Sequence, residues 1–197
     1  MKTAAASAAV FWRQSMNYAE IKNCDIANGP GVRISLFVSG CTHHCPGCFN
    51  QVAWDFDYGQ PFTQQTIDQI LEMLKPGYIK GLTLLGGEPF EPQNQGAIVR
   101  LLRRIRKEMP EKSIWAFSGY LFDRDILAGR LGPWEITREY LSYLDVLVDG
   151  PFVESRKNLS LRFRGSENQR IIDVPASLAE NRIVLWQDWQ GEGRGMK

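Results

Sequence analysis

Three cysteines crowded into one short loop constrain this chain more than any other feature. In Gly40-Cys41-Thr42-His43-His44-Cys45-Pro46-Gly47-Cys48-Phe49-Asn50 the thiols stand at the spacing Cys-x-x-x-Cys-x-x-Cys, directly after the apolar run Ile34-Ser35-Leu36-Phe37-Val38. Such a run reads as a buried strand, so the cysteines sit on a loop at its carboxyl end. Three thiolates on one loop can converge on a soft metal centre. Their number is informative, because structural zinc normally takes four protein ligands and an electron-carrying iron–sulfur cluster usually takes one thiolate per iron. A [4Fe–4S] cluster held by Cys41, Cys45 and Cys48 leaves one iron open to a substrate, which implies chemistry at the cluster.

Two other readings stand beside it. The loop could be a zinc knuckle whose fourth ligand is His43, His44 or the distant Cys24, or it could carry reduced thiols without a metal. Zinc spacings usually come as two pairs separated by a long loop, and both histidines of this chain lie inside the same loop. His43 and His44 read as solvent-facing loop residues. Cys24 reads as a buried or partly buried small apolar side chain.

With 197 residues the chain fits one domain that buries a core without staples. A formal net charge of +1 gives no electrostatic case for nucleic acid. Basic residues gather only in Arg100-Leu101-Leu102-Arg103-Arg104-Ile105-Arg106-Lys107. Apolar residues recur there at helical spacing, so the segment reads as the solvated face of an amphipathic helix, with docking to an acidic partner as the sharper alternative. Thiols that must stay reduced point to the cytoplasm. No run suits a membrane span. Residues 1–15 have the charge-then-apolar order of a signal peptide, but the apolar part is short and contains aromatics and Arg13. They read as a disordered extension, an alternative start or an expression remnant, with the domain proper over 16–186 and a polar, Gly-rich tail over 187–197.

Taken in order, Asn28-Gly29-Pro30-Gly31 is a turn and Val32 to Val38 the first strand. Gln51 to Pro61 reads as a surface-packed loop. Thr63 offers an N-cap to a helix carrying Ile67, Ile70, Leu71 and Leu74 on one face and stopped at Lys75-Pro76-Gly77. Gly81 to Leu85 is a short strand ended by Gly86-Gly87-Glu88-Pro89. A helix from about Gln95 to Lys107 follows, then the strand Ile114 to Phe117, a helical stretch near Glu139 to Leu144, and the strand Val146 to Val148 ended by Asp149-Gly150-Pro151. Ile171 to Val174 and Ile183 to Trp186 could each be a strand. The alternation is that of an α/β fold with a parallel sheet, and each chemically suggestive group follows a strand, at the edge where such folds bind ligands. There are too few repeats for eight strands, so the expected shape is an open partial (β/α) barrel.

Cys41-x-x-x-Cys45-x-x-Cys48 after one strand and Gly86-Gly87-Glu88-Pro89 after the next resemble the radical S-adenosylmethionine superfamily. Six further segments, Asn28-Gly29-Pro30-Gly31, Phe37 to Cys41, Cys45 to Asn50, Gly59-Gln60-Pro61-Phe62, Val148 to Phe152 and Arg164-Gly165-Ser166-x-Asn168-Gln169, resemble the activating enzymes of anaerobic (class III) ribonucleoside-triphosphate reductases. The similarity runs from about Met16 to about Asp173.

That resemblance implies a shortened radical S-adenosylmethionine barrel and an oxidoreductase that activates another protein. Reductive cleavage of S-adenosylmethionine at a three-cysteine [4Fe–4S] cluster would yield a 5′-deoxyadenosyl radical, which generates a glycyl radical on the reductase. The implied partners are the reductase catalytic subunit and a reduced flavodoxin or similar electron donor, with no nucleic acid and no membrane. Cys41, Cys45 and Cys48 would ligate the cluster. Gly86 and Gly87 would let backbone approach the methionine end of the ligand, and polar atoms near Glu88 would suit its ammonium group. Backbone at Gly47, Cys48 and Phe49 would border the adenine. Ser118, Asp149 and Asn168 are candidates for ribose or carboxylate contacts, or else turn and cap residues. Ser118-Gly119-Tyr120 looks like the core of a glycyl-radical loop but reads as a structural turn. The alternatives are an activase of another glycyl-radical enzyme, a small-molecule radical enzyme of the same superfamily, or a non-catalytic iron–sulfur or zinc protein.

Overall fold

The computed structural model describes residues 16–187, so the expectations for residues 1–15 and for most of the polar tail lie outside the described residues. Its frame is a seven-stranded mixed sheet. The strands are β1 (Asn17–Asp25), β2 (Val32–Val38), β3 (Gln60–Pro61), β4 (Ile79–Gly86), β5 (Ser113–Phe117), β6 (Val146–Asp149) and β7 (Arg170–Asp173). They lie in the order β3-β1-β2-β4-β5-β6-β7. The four central strands β2, β4, β5 and β6 run parallel, joined by crossovers that contain α1 (Gln64–Leu74), α2 (Pro92–Glu108) and α3 (Trp134–Ser142). Their carboxyl ends share one edge.

The purely parallel sheet expected from the sequence is corrected at both flanks. β1 pairs antiparallel with β2 and with β3, and β7 pairs antiparallel with β6. Val32 to Val38 is the second strand, not the first. β1 escapes a periodicity reading because its Glu20, Lys22 and Asn23 face solvent and a bulge between Lys22 and Asp25 breaks its register. Cys24 sits on that bulge at φ 62 and is exposed, not buried. The stretch Gln51 to Pro61 also holds more structure than a loop: a single 3-10 turn over Gln51–Trp54 and the short strand β3. Only an isolated bridge from Leu185 to Ile172 stands where Ile183 to Trp186 could have been a strand. A fourth helix, α4 (Val174–Glu180), starts where a strand through Val174 was expected, with Asp173 accepting from the Ala176 N–H as its N-cap.

The apolar stripes on the helices dictate the packing. Thr63 caps α1 in a reciprocal pair with Thr66, and Ile67, Ile70, Leu71 and Leu74 enter the core. Ile98, Leu101, Leu102 and Ile105 of α2 join them, against Leu36, Leu82, Leu84 and Ile114 of the sheet. α2 starts at Pro92, three residues before the expected Gln95, because proline suits a first helical turn. Its arginines are engaged within the chain: Arg103 with Glu139, Arg104 with Asp68 and Glu108, Arg106 with Asp145 and the Tyr143 carbonyl. This basic end lies at the sheet edge opposite the cysteine loop, since α2 runs antiparallel to the strands it connects. The other sheet face carries a second cluster of Trp115, Val146 and Val148 with Phe163 and Trp186 against it. There the guanidinium of Arg33, 0% exposed, bonds Thr83 Oγ1 at 2.7 Å and the Leu82 carbonyl at 2.8 Å, with Trp115 over it.

Candidate functional site

The loops that leave β2, β4, β5 and β6 surround one cavity of about 480 Å³. Cys41, Cys45, Gly47, Cys48 and Phe49 line it from the first loop, Gly86, Gly87 and Glu88 from the second, Ser118 and Gly119 from the third, and Gly150 and Phe152 from the fourth. The long connection from β6 to β7 adds Lys157, Leu159, Phe163 and Arg164. Residues from about position 41 to about position 165 thus meet at the carboxyl edge of the parallel strands.

Backbone pairing sets the first two loops against each other. The Gly87 N–H donates to the Val38 carbonyl at 2.7 Å and the Glu88 N–H to the Gly40 carbonyl at 2.8 Å. Gly40 and Cys41 donate in turn to the carbonyls of Ala53 and Trp54. So close an approach leaves no room for side chains. A Cβ on Gly86, which lies at φ +112, would stand 2.7 Å from Val38 backbone, and one on Gly87 would stand 2.5 Å from the Gly40 oxygen. The glycines are needed to seat one loop on the other, and both also line the cavity.

Glu88 is the buried centre of this arrangement, 1% exposed. Its Oε1 accepts from the Phe90 N–H at 2.8 Å and from Ser118 Oγ at 2.9 Å. Oε2 accepts from the Gly119 N–H at 2.7 Å and meets His43 Nε2 at 3.0 Å. A carboxylate removed from water requires such partners. His43 is therefore not the solvent-facing residue expected: its side chain is 18% exposed and its ring packs on Tyr120 at 4.3 Å. Burial favours its neutral form, but the Glu88 bond and the charges of Glu88 and Glu91 outweigh this and raise its pKa. His44 is exposed as expected, with its ring 4.6 Å from that of Trp54. Glu91 holds the same loop one residue earlier, accepting from the Thr42 N–H at 2.8 Å and from Thr42 Oγ1 at 2.6 Å. The sequence reading missed Glu91 and the structural part played by His43. Only the clustering of acids after Gly86-Gly87 hinted that something nearby needed a buried anion. Ser118-Gly119-Tyr120 forms the turn expected of it, closed by the Tyr120 N–H donating to Ser118 Oγ.

The Cys48 sulfur accepts from the Asn50 N–H at 3.4 Å, and the nearby backbone of His43 and His44 at Cys41 and of Phe152 at Cys45 acts to lower those thiols' pKa. Burial, the larger effect, nevertheless pushes the Cys41 thiol up to about 12 and raises that of Cys45. Among the described residues no three His, Cys, Asp or Glu side chains close around a single ion. Of the three candidate fourth zinc ligands, His43 is taken by Glu88, His44 is exposed with its ring beside Trp54, and Cys24 lies on β1 near the opposite strand ends. A cluster that takes one thiolate per iron does not need its sulfurs to meet at one atom, so three thiols lining one cavity fit a multi-iron group.

Asp149 and Asn168 do not line the cavity. Asp149, 0% exposed, accepts from the Phe122 N–H at 2.8 Å and from Arg170 Nε at 2.9 Å, tying β6 to β7. Asn168 Nδ2 donates to the Pro151 carbonyl at 2.8 Å. Ser118 reaches the cavity, but its hydroxyl is directed to Glu88.

The sequence pattern of a 4Fe-4S single cluster domain matches residues 27–172. Three curated relatives are each named anaerobic ribonucleoside-triphosphate reductase-activating protein. That of Escherichia coli (strain K12) is 46% identical over 156 residues, 78% of this chain and 96% of the relative. That of Enterobacteria phage T4 is 43% identical over 158 residues, 79% of this chain and 93% of the relative. That of Vibrio cholerae is 42% identical over 159 residues, 79% of this chain and 97% of the relative.

Proposed function

The chain belongs to the family of anaerobic ribonucleoside-triphosphate reductase-activating proteins, and on that footing we propose that it installs a glycyl radical on the catalytic subunit of such a reductase. Cys41, Cys45 and Cys48 would hold a [4Fe–4S] cluster, with S-adenosylmethionine beside it in the same cavity. When bound, the cluster would supply the electron for reductive cleavage of S-adenosylmethionine into methionine and a 5′-deoxyadenosyl radical, which would take a hydrogen atom from a glycine of the reductase. The electron comes from a reduced flavodoxin or a similar donor, which makes the protein an oxidoreductase of a reducing, cytoplasmic setting.

The protein's own part is to bind, orient and shield. The Asn50 N–H on the Cys48 sulfur favours its thiolate and would lower the charge that the cluster presents. The paired backbones at Val38 to Gly40 and Gly86 to Glu88 hold the ligand end of the site rigid. Glu88 shapes the ligand end of the site from behind, because its carboxylate is taken up by His43, Ser118, Gly119 and Phe90 and its N–H by the Gly40 carbonyl. Gly47, Cys48 and Phe49 border the adenine. Leu85, Phe117, Phe152 and Phe163 give the cavity an apolar wall that excludes water from a reactive radical. The helix-covered sheet over residues 16–186 is a shortened radical S-adenosylmethionine barrel, a reading supported by its parallel core and by a site at the carboxyl edge of the strands. No described helix is long and apolar enough to cross a membrane.

The observation that carries this reading is the convergence of all three loop cysteines with the Gly-Gly-Glu turn on one cavity. Anaerobic reconstitution with iron and sulfide, followed by dithionite and S-adenosylmethionine, tests it. The reading requires 5′-deoxyadenosine, and a glycyl doublet in the electron paramagnetic resonance spectrum of the reductase. No product from protein with its full cluster would overturn it.

A further inference from the structure

Leu159 and Phe49 are exposed to 90% and 87%, more than the other large apolar side chains among the described residues, and both stand on the lining of the same cavity. They come from separate loops, the β6 to β7 connection and the cysteine loop, so their place on one cavity is a product of the fold. Exposed apolar groups gathered at a site mouth mark an interaction surface more often than scattered ones do. The Leu159 tip is also held in shape. Asn158 Oδ1 accepts from the Ser160 N–H at 3.0 Å, Asn158 Nδ2 donates to Glu167 at 3.0 Å, and Lys157 bridges to Ser166. An apolar anchor on a pre-ordered turn binds with little further loss of entropy. Beside it Lys157 is exposed, makes no ion pair among the described residues, and lines the mouth with Arg164.

We propose that Leu159 is the anchor of the docking surface for the reductase subunit, which covers this rim with an apolar segment flanked by carboxylates. The inference rests on the functional reading above. If the hydrogen atom comes from a glycine of another protein, that glycine must enter through this mouth, and its flanking residues must lie on the rim. Apolar anchors with unpaired cations beside them select a partner of that chemistry.

The test uses the whole reconstituted protein, dithionite as reductant, and increasing amounts of the separately purified reductase subunit from the same organism. For Leu159→Ser and Leu159→Asp, glycyl radical is read relative to each variant's own rate of 5′-deoxyadenosine formation without reductase. Both should raise the reductase concentration for half-maximal glycyl radical about tenfold or more, with recovery at excess reductase. Lys157→Glu should raise it as well and weaken its dependence on salt. An unchanged half-maximal concentration in both Leu159 variants would overturn the proposal. So would a defect seen only when reduced flavodoxin replaces dithionite, which would assign the rim to the electron donor, or a loss of self-association in sedimentation, which would assign it to a second copy. The functional reading fails differently: the parent protein would then give no glycyl radical at any reductase concentration.

Discussion

His43 Nε2 lies 3.0 Å from Glu88 Oε2, so the middle of the cysteine loop is fastened to the buried carboxylate that ends β4. The same carboxylate fastens the start of the turn after β5 through Ser118 and Gly119. Three strand ends are thereby held by one side chain. Glu88→Ala would strand these donors in the interior and should cost roughly 2–4 kcal/mol of stability in urea unfolding of the reduced protein. His43→Phe keeps the packing on Tyr120 but removes the donor. It should lower the iron retained per chain and shift the resonance spectrum of the reduced cluster, with partial recovery in His43→Gln. An unaltered spectrum in His43→Phe would show that the contact does not position the loop.

Gly87 and Gly77 make a contrasting pair. A Cβ on Gly87 meets two backbone oxygens, of Gly40 at 2.5 Å and Ala53 at 2.7 Å, whereas one on Gly77 meets nothing within 4 Å. Gly87→Ala should therefore force the loops apart, with a loss of about 2 kcal/mol or more and a fall in bound iron. Gly77→Ala should be neutral or stabilising by up to about 1 kcal/mol, because it restricts the unfolded chain. Thermal unfolding and iron analysis of both variants would check the pair.

Cys24 and Cys45 should behave oppositely on substitution. Cys24 is exposed on a strand bulge near the edge of the sheet away from the cavity, while Cys45 lines the cavity. Cys24→Ser should leave iron and sulfide content unchanged after reconstitution. Cys45→Ala should lose most of the cluster and abolish 5′-deoxyadenosine formation. Full cluster content with turnover in Cys45→Ala would refute three-thiolate ligation.

Asp25 predicts a pH effect far from the cluster. Burial alone would raise its pKa, but bonds from Ser35 Oγ, the Ala27 N–H and the Asn28 amide, with the charge of Lys22, leave it lowered. A folded value below the unfolded one gives stability that is present above the unfolded pKa of about 3.9 and is lost as pH falls through the folded value. Asp25→Asn should then be less stable than the parent at pH 7, by up to about 1 kcal/mol given its partial exposure. The difference should shrink as pH drops below about 4. A difference that stays constant from pH 7 to pH 3 would assign the effect to packing.

The parts legible in the sequence were those carried by neighbours in the chain. α1 could be read from Thr63 and four apolar residues at helical spacing, β4 from a run ended by Gly86-Gly87, and the three thiols from their own spacing. β1 and α4 were not legible in this way. β1 shows mostly polar residues and a bulge, because it needs only one good neighbour, β2, and α4 is a short segment stabilised by its cap and by β7. At the site, residue types at short spacing determined which atoms could hold a cluster and where in an α/β fold they would lie. Tertiary structure alone decided that His43 turns inward to Glu88, that Asp149 serves Arg170 and not the cavity, and that Leu159 and Phe49 line the same cavity. The physical reason is range: spacing and periodicity record interactions within a few residues, whereas a buried carboxylate takes its partners from whichever strand ends the sheet brings beside it, here 31 and 45 positions away.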